Sequence, residues 1–126
     1  MTTHKLLTEE IKRKLRQYPL YSTECEGKDM LDNKCLVKFF GGSAATWLIT
    51  EAQEQEDGDW LFYGLATLGH PSQIHPGDLL WEWGYVTLKQ LQEVKFPPFG
   101  LPIERDMYLS SDATVRDEVF MFGGAE

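Results

Sequence analysis

The sequence predicts a single α+β domain: a mainly antiparallel sheet of four or five strands, with one helix at the N-terminus and one short helix after the fourth strand. Residues 36–40, 46–50 and 60–65 are dense in β-branched and aromatic side chains. Between the second and third of these runs lies an acidic polar stretch whose Asp57-Gly58 dipeptide is a hairpin turn signal. A length of 126 residues suits one core. Aromatic residues at 13% make Trp and Phe packing the main source of buried area.

The first helix opens at Thr8, whose side chain is placed to accept a first-turn N–H, and Glu9 and Glu10 sit where the helix dipole favours carboxylates. Leu7, Ile11 and Leu15 form its apolar stripe, and Lys12, Arg13, Lys14 and Arg16 crowd its far end. Tyr18-Pro19 stops it, because the residue before proline is driven out of the α region. Residues 21–34 read as an irregular connection. Its Glu24, Glu26, Asp29 and Asp32 lack the spacing of a calcium-binding loop.

In the second strand, alternation sets Trp47 and Ile49 against Leu48 and Thr50; in the third it sets Leu61, Tyr63 and Leu65 against Trp60, Phe62 and Gly64. Both faces are apolar, so both need cover. Gly64 within a strand marks a bulge or a close backbone approach. Residues 69–78 form a turn-rich loop in which His70, His75 and Asp78 are candidate metal ligands, although zinc asks for more convergent donors than a flexible loop offers. Residues 80–86 read as the fourth strand, with Trp81, Trp83 and Tyr85 on one face as half of a core or as a binding platform. Thr87 and Gln90 then form a capping box for the second helix, which turns Leu88 and Leu91 onto the sheet.

Glu104-Arg105-Asp106 lies between Ile103 and Met107-Tyr108-Leu109, so at least one of these charges must approach the core. Glu51 and Asp106 are the expected partners of Arg105. Residues 1–109 are read as the domain and 110–126 as a C-terminal tail with a short apolar patch at Val119-Phe120-Met121-Phe122, which forms either a loosely held edge strand or an ordered terminus.

The net charge of −8 is unevenly placed. Residues 1–40 carry eight Lys or Arg against six Asp or Glu, whereas the remainder carries four against fourteen. Such a field opposes contact with duplex DNA and attracts basic partners. No apolar run approaches a membrane span and no secretory leader is recognisable, which predicts a cytoplasmic protein with Cys25 and Cys35 as thiols. No motif implies a cofactor.

Leu6-Leu7-Thr8, Pro19-Leu20-Tyr21-Ser22-Thr23-Glu24, Val37-Lys38-Phe39-Phe40, Trp47 to Glu51, Phe62-Tyr63-Gly64-Leu65, Gly84-Tyr85-Val86-Thr87-Leu88 and Gly100-Leu101-Pro102-Ile103-Glu104-Arg105-Asp106 together resemble the small bacterial proteins catalogued as domain of unknown function 2958. The resemblance covers residues 5–109. It implies an accessory setting on plasmids, phages or integrative elements and brings no activity or catalytic residues. The loop 69–78 and the tail after Leu109 depart from the pattern.

Two kinds of function follow, with direct nucleic-acid contact through the basic helix run Lys12 to Arg16 as a third that rests on that run alone. In the first, a non-enzymatic module docks a protein partner through Trp81, Trp83 and Tyr85 and through Glu54, Glu56, Asp57 and Asp59 at the hairpin end, in the extreme as an acidic DNA mimic or anti-defence protein. Self-association stays open. In the second, a small hydrolase-like enzyme uses Glu51, Glu104 and Asp106 for acid–base work with Arg105 as an electrophilic clamp.

Overall fold

The computed structural model describes residues 6–24, 27–42, 44–74 and 77–119. Helix α1 (Glu9–Leu15) starts where the Thr8 hydroxyl accepts the Ile11 N–H at 3.2 Å, as its capping pattern predicts. Strands β1 (Val37–Gly41), β2 (Ala45–Glu54), β3 (Trp60–Thr67) and β4 (Glu82–Thr87) form an antiparallel meander. Helix α2 (Leu88–Glu93) follows through the Thr87–Gln90 capping box. Its first turn is also held by Asp59, whose Oδ1 accepts the Lys89 N–H at 3.0 Å.

Two short strands, β5 (Lys95–Phe96) and β6 (Leu101–Pro102), pair with each other. Strand β7 (Glu104–Arg105) then returns to the main sheet beside β1, giving the order β4-β3-β2-β1-β7. The predicted α+β class, the five-stranded sheet and both helices are thus observed.

The two faces of the sheet are covered differently. Val37, Phe39, Trp47, Ile49, Trp60 and Phe62 pack with Leu7 just before α1, with Leu15 of α1, with Leu91 of α2 and with Ile103. Fully burying each of the larger side chains contributes about 2–3 kcal/mol. On the opposite face a smaller cluster joins Leu48 and Leu65 to Cys35 and to Val115 of a third helix, α3 (Val115–Val119).

Three expectations need correction. Residues 110–119 are not loosely held and form no edge strand: Val115 is fully buried, and the Cys35 N–H donates to Ala113 O at 2.9 Å. Arg116 also reaches Asp29 Oδ2 at 2.8 Å and Asp32 Oδ1 at 3.0 Å in the connection before β1. Val119 ends α3, and residues 120–122 of the expected strand lie outside the described residues. The fourth strand begins at Glu82, so Trp81 lies before it and packs toward the smaller cluster. Finally, strict alternation fails in β2, where the register shifts between Ile49 and Glu51.

Candidate functional site

That shift is a β-bulge, and it decides where Glu51 points. Uninterrupted alternation sends Glu51 to the side of Trp47 and Ile49, into the larger core. The extra residue instead pairs Glu51 with Tyr63, on the face opposite Phe62. Gly64, paired with Ile49, makes the bulge possible: a Cβ there would stand 2.0 Å from Leu48 O.

Glu51 is 3% exposed. Its carboxylate accepts the Tyr21 N–H at 2.8 Å, the Thr23 N–H at 2.9 Å and the Thr23 hydroxyl. These bonds close a turn in which Tyr21 adopts φ +72°, among the described residues the one non-glycine position in the left-handed region. A bulky residue is rare there and costs of order 1–3 kcal/mol unless the surroundings fix it. Here the buried carboxylate does the fixing.

The result is a row of rings. Tyr21, 64% exposed, is hydrogen-bonded through its side chain to Tyr85, which is 52% exposed. Tyr85 packs against Tyr63 with ring centroids 4.9 Å apart, and Tyr63 stacks on Trp83 at 5.7 Å with an interplanar angle of 17°. The hydrogen bond to Tyr21, then desolvation, pushes the Tyr85 phenol up to about 12. Burial first, then the charges of Glu51 and Glu24, raise that of Tyr63. Of the expected platform, Tyr85 is the exposed ring on the edge strand β4, while Trp83 and Trp81 are partly buried and both pack against the smaller cluster. Sequence reasoning missed Tyr21 and Tyr63. The signal available was Gly64, which pointed to a bulge without saying which side chain it would turn.

The acidic hairpin is partly committed to structure. Glu54 pairs with Arg16 at 3.3 Å, Asp57 Oδ1 accepts the Asp59 N–H, and Asp59 holds the start of α2. Glu56 and Asp57 are exposed.

The expected acid–base set is divided. Glu104, Arg105 and Asp106 line an open groove of about 450 Å³ with Lys38, Phe40, Thr46 and Tyr108. Glu51 belongs instead to the tyrosine turn on the other side of β2, so it is not the partner expected for Arg105. Asp106 lies 3.8 Å from Lys38 Nζ, which also reaches Glu118 Oε1 at 3.0 Å. Lys38 and Glu118, side chains 13% and 8% exposed, form an ion pair tying β1 to α3 that sequence patterning did not reveal. Nearby, burial and then the Glu118 charge push the Cys35 thiol up to about 12, so it stays neutral and unreactive. Cys25 lies outside the described residues.

His70 and Asp78 are exposed, and His75 lies outside the described residues. Among the described residues no group of three or more His, Cys, Asp or Glu is placed to hold a metal ion, and no helix is long and apolar enough to cross a membrane.

Residues 6–119 match a family model described as a protein of unknown function (DUF2958). The match reaches ten residues past Leu109, so the segment carrying α3 belongs to the pattern after all. No curated protein and no solved structure is matched by the chain.

Proposed function

We propose, for a chain that belongs to the DUF2958 family of proteins of unknown function, a non-enzymatic role as an accessory module that docks a protein partner. The observation that carries this reading is Tyr21. A tyrosine held at φ +72° by a buried carboxylate, with its side chain left 64% exposed, is costly to build and contributes little to the core. It extends the Tyr63, Trp83 and Tyr85 row, and rigid amphipathic tyrosines on an unpaired sheet edge are efficient contact residues because they lose little conformational entropy on binding. The accessory setting on plasmids, phages or integrative elements, and a cytoplasmic location, rest on the family resemblance and the sequence. Docking centres on the aromatic row rather than on carboxylates spaced as in DNA, since Glu51, Glu54 and Asp59 are occupied within the fold.

Comparative capture tests it. Immobilised wild type, Tyr85→Ala and the double variant Glu56→Gln/Asp57→Asn are exposed to the same bacterial lysate. Proteins retained by wild type and the hairpin variant but lost by Tyr85→Ala are the expected result; identical sets on all three surfaces refute the reading.

One observation favours a second reading. Glu104 and Asp106 share an open groove with Arg105 and Lys38, an arrangement compatible with hydrolytic acid–base chemistry that no longer includes Glu51. Turnover of ester or phosphoester substrates that is abolished by Glu104→Gln supports it, and turnover indifferent to that change removes it.

A further inference from the structure

The geometry points to a cationic side chain, arginine above all, on a basic segment of the partner as what the tyrosine row receives. This rests on the docking reading above and names its chemistry. Glu51, in register with Tyr63, is 3% exposed, and its hydrogen bonds come from two backbone N–H groups and one hydroxyl. Among the described residues no cation forms an ion pair with it. Exposed Glu24 stands near enough for its charge to act on Tyr63. Electron-rich ring faces beside carboxyl groups that have no cation partner among the described residues make an acidic, partly desolvated surface, which is where a guanidinium gains most from cation–π contact.

Trp83 and Tyr63 already occupy each other's faces, so the outer rings of Tyr85 and Tyr21 are the receiving ones. The chain contains its own small example of this recognition. Arg16 lies over the Trp60 ring at 5.7 Å from the centroid, with its Nε 3.3 Å from Glu54. The overall charge of −8 draws the same class of partner. A nucleic acid, which also stacks on aromatic rings, is opposed by that charge.

The test uses the full chain and three short Gly/Ser peptides of equal length, bearing arginines, citrullines at the same positions, or prolines. Binding is read by Trp fluorescence and calorimetry. The arginine peptide is expected to bind and the citrulline peptide not to. Tyr85→Ala should weaken binding about fivefold or more, Tyr85→Phe should retain it, and Glu24→Gln should weaken it about threefold. Glu56→Gln should leave it unchanged. Equal binding of the citrulline peptide, preference for the proline peptide, absence of arginine binding, or equal losses from Glu24→Gln and Glu56→Gln each overturn the inference, the last because bulk charge then suffices. Denaturation curves check that each variant is folded. If the arginine peptide fails while Tyr85→Ala still abolishes protein capture, the docking reading stands and this one falls; if Tyr85→Ala changes neither, both fall.

Discussion

Gly64 and Gly84 face each other across β3 and β4, and the same substitution should have opposite effects at the two positions. In Gly64→Ala the new methyl would lie 2.0 Å from Leu48 O, 2.8 Å from Leu48 C and 2.9 Å from Ile49 Cα. All three are backbone atoms of β2, so no side chain can swing aside, and the first contact is well over an ångström short of the ordinary 3.4 Å. Relief requires β2 and β3 to part at the bulge. Overpacking of this kind costs typically 1–3 kcal/mol, and a weakened ladder hydrogen bond adds about 1 kcal/mol. The expected loss is therefore about 3 kcal/mol, a large share of the ~5–15 kcal/mol that holds a domain together. At Gly84 a Cβ meets nothing within 4 Å, so Gly84→Ala should be neutral or stabilise by up to ~1 kcal/mol through the unfolded state. Urea unfolding followed by Trp fluorescence measures both. At an m-value of ~2 kcal/mol/M, Gly64→Ala should lower the midpoint by about 1.5 M. A Gly64→Ala midpoint within ~0.3 M of wild type, about 0.6 kcal/mol at that slope, would refute the close approach. A Gly84→Ala loss as large as that of Gly64→Ala would refute the claim of open space.

Replacing Glu51 by Gln keeps its shape but removes the charge and puts a donor where a second acceptor stood, so the 21–23 turn should loosen at a cost of about 2 kcal/mol; hydrogen exchange at the Tyr21 and Thr23 amides reads it, and unchanged protection would contradict the role given to the carboxylate. Absorbance titration at 295 nm should show one phenol ionising near 12 that disappears in Tyr85→Phe and moves back toward 10 in Tyr21→Phe, because the Tyr21 hydrogen bond is the main cause of the shift. A folded-state value raised above the unfolded one means this contribution to stability is complete below about pH 10 and is lost as pH rises through about 12. Lys38→Met should cost about 3 kcal/mol by leaving Glu118 buried beside no ammonium, and Lys38→Met with Glu118→Leu should recover much of it; equal loss in the single and double variants would show that the pair is not coupled.

What the sequence disclosed was local. The Thr8 cap, the Thr87–Gln90 box and the Asp57-Gly58 turn are each written within four residues, and the strand centres follow from side-chain type. The alternation that assigns Trp47 and Ile49 to one face is equally local, and it fails at Glu51 because a bulge is a property of two paired strands. Nothing in a tyrosine announces a positive φ; Tyr21 adopts it through bonds to a carboxylate 30 positions away. The docking of α3 escaped notice for the same reason, since Arg116 meets Asp29 and Asp32 across separations of 87 and 84 residues. Glu104-Arg105-Asp106 follows the buried Ile103 into the strand beside β1, with Glu104 exposed and Asp106 3.8 Å from Lys38 of β1, a pairing between distant segments that no local spacing announces.

The order β4-β3-β2-β1-β7 also has a bearing on biosynthesis. On the ribosome, β1 finds β2 almost at once, yet its other margin waits for residues 104–105, about 63 positions downstream. At ~5–20 residues per second that is roughly 3–13 s during which a growing chain shows an unsatisfied row of peptide groups to its neighbours on the same messenger. Lys38, the second residue of β1, places a charge on that strand that discourages nascent chains from joining edge to edge before the later segment arrives.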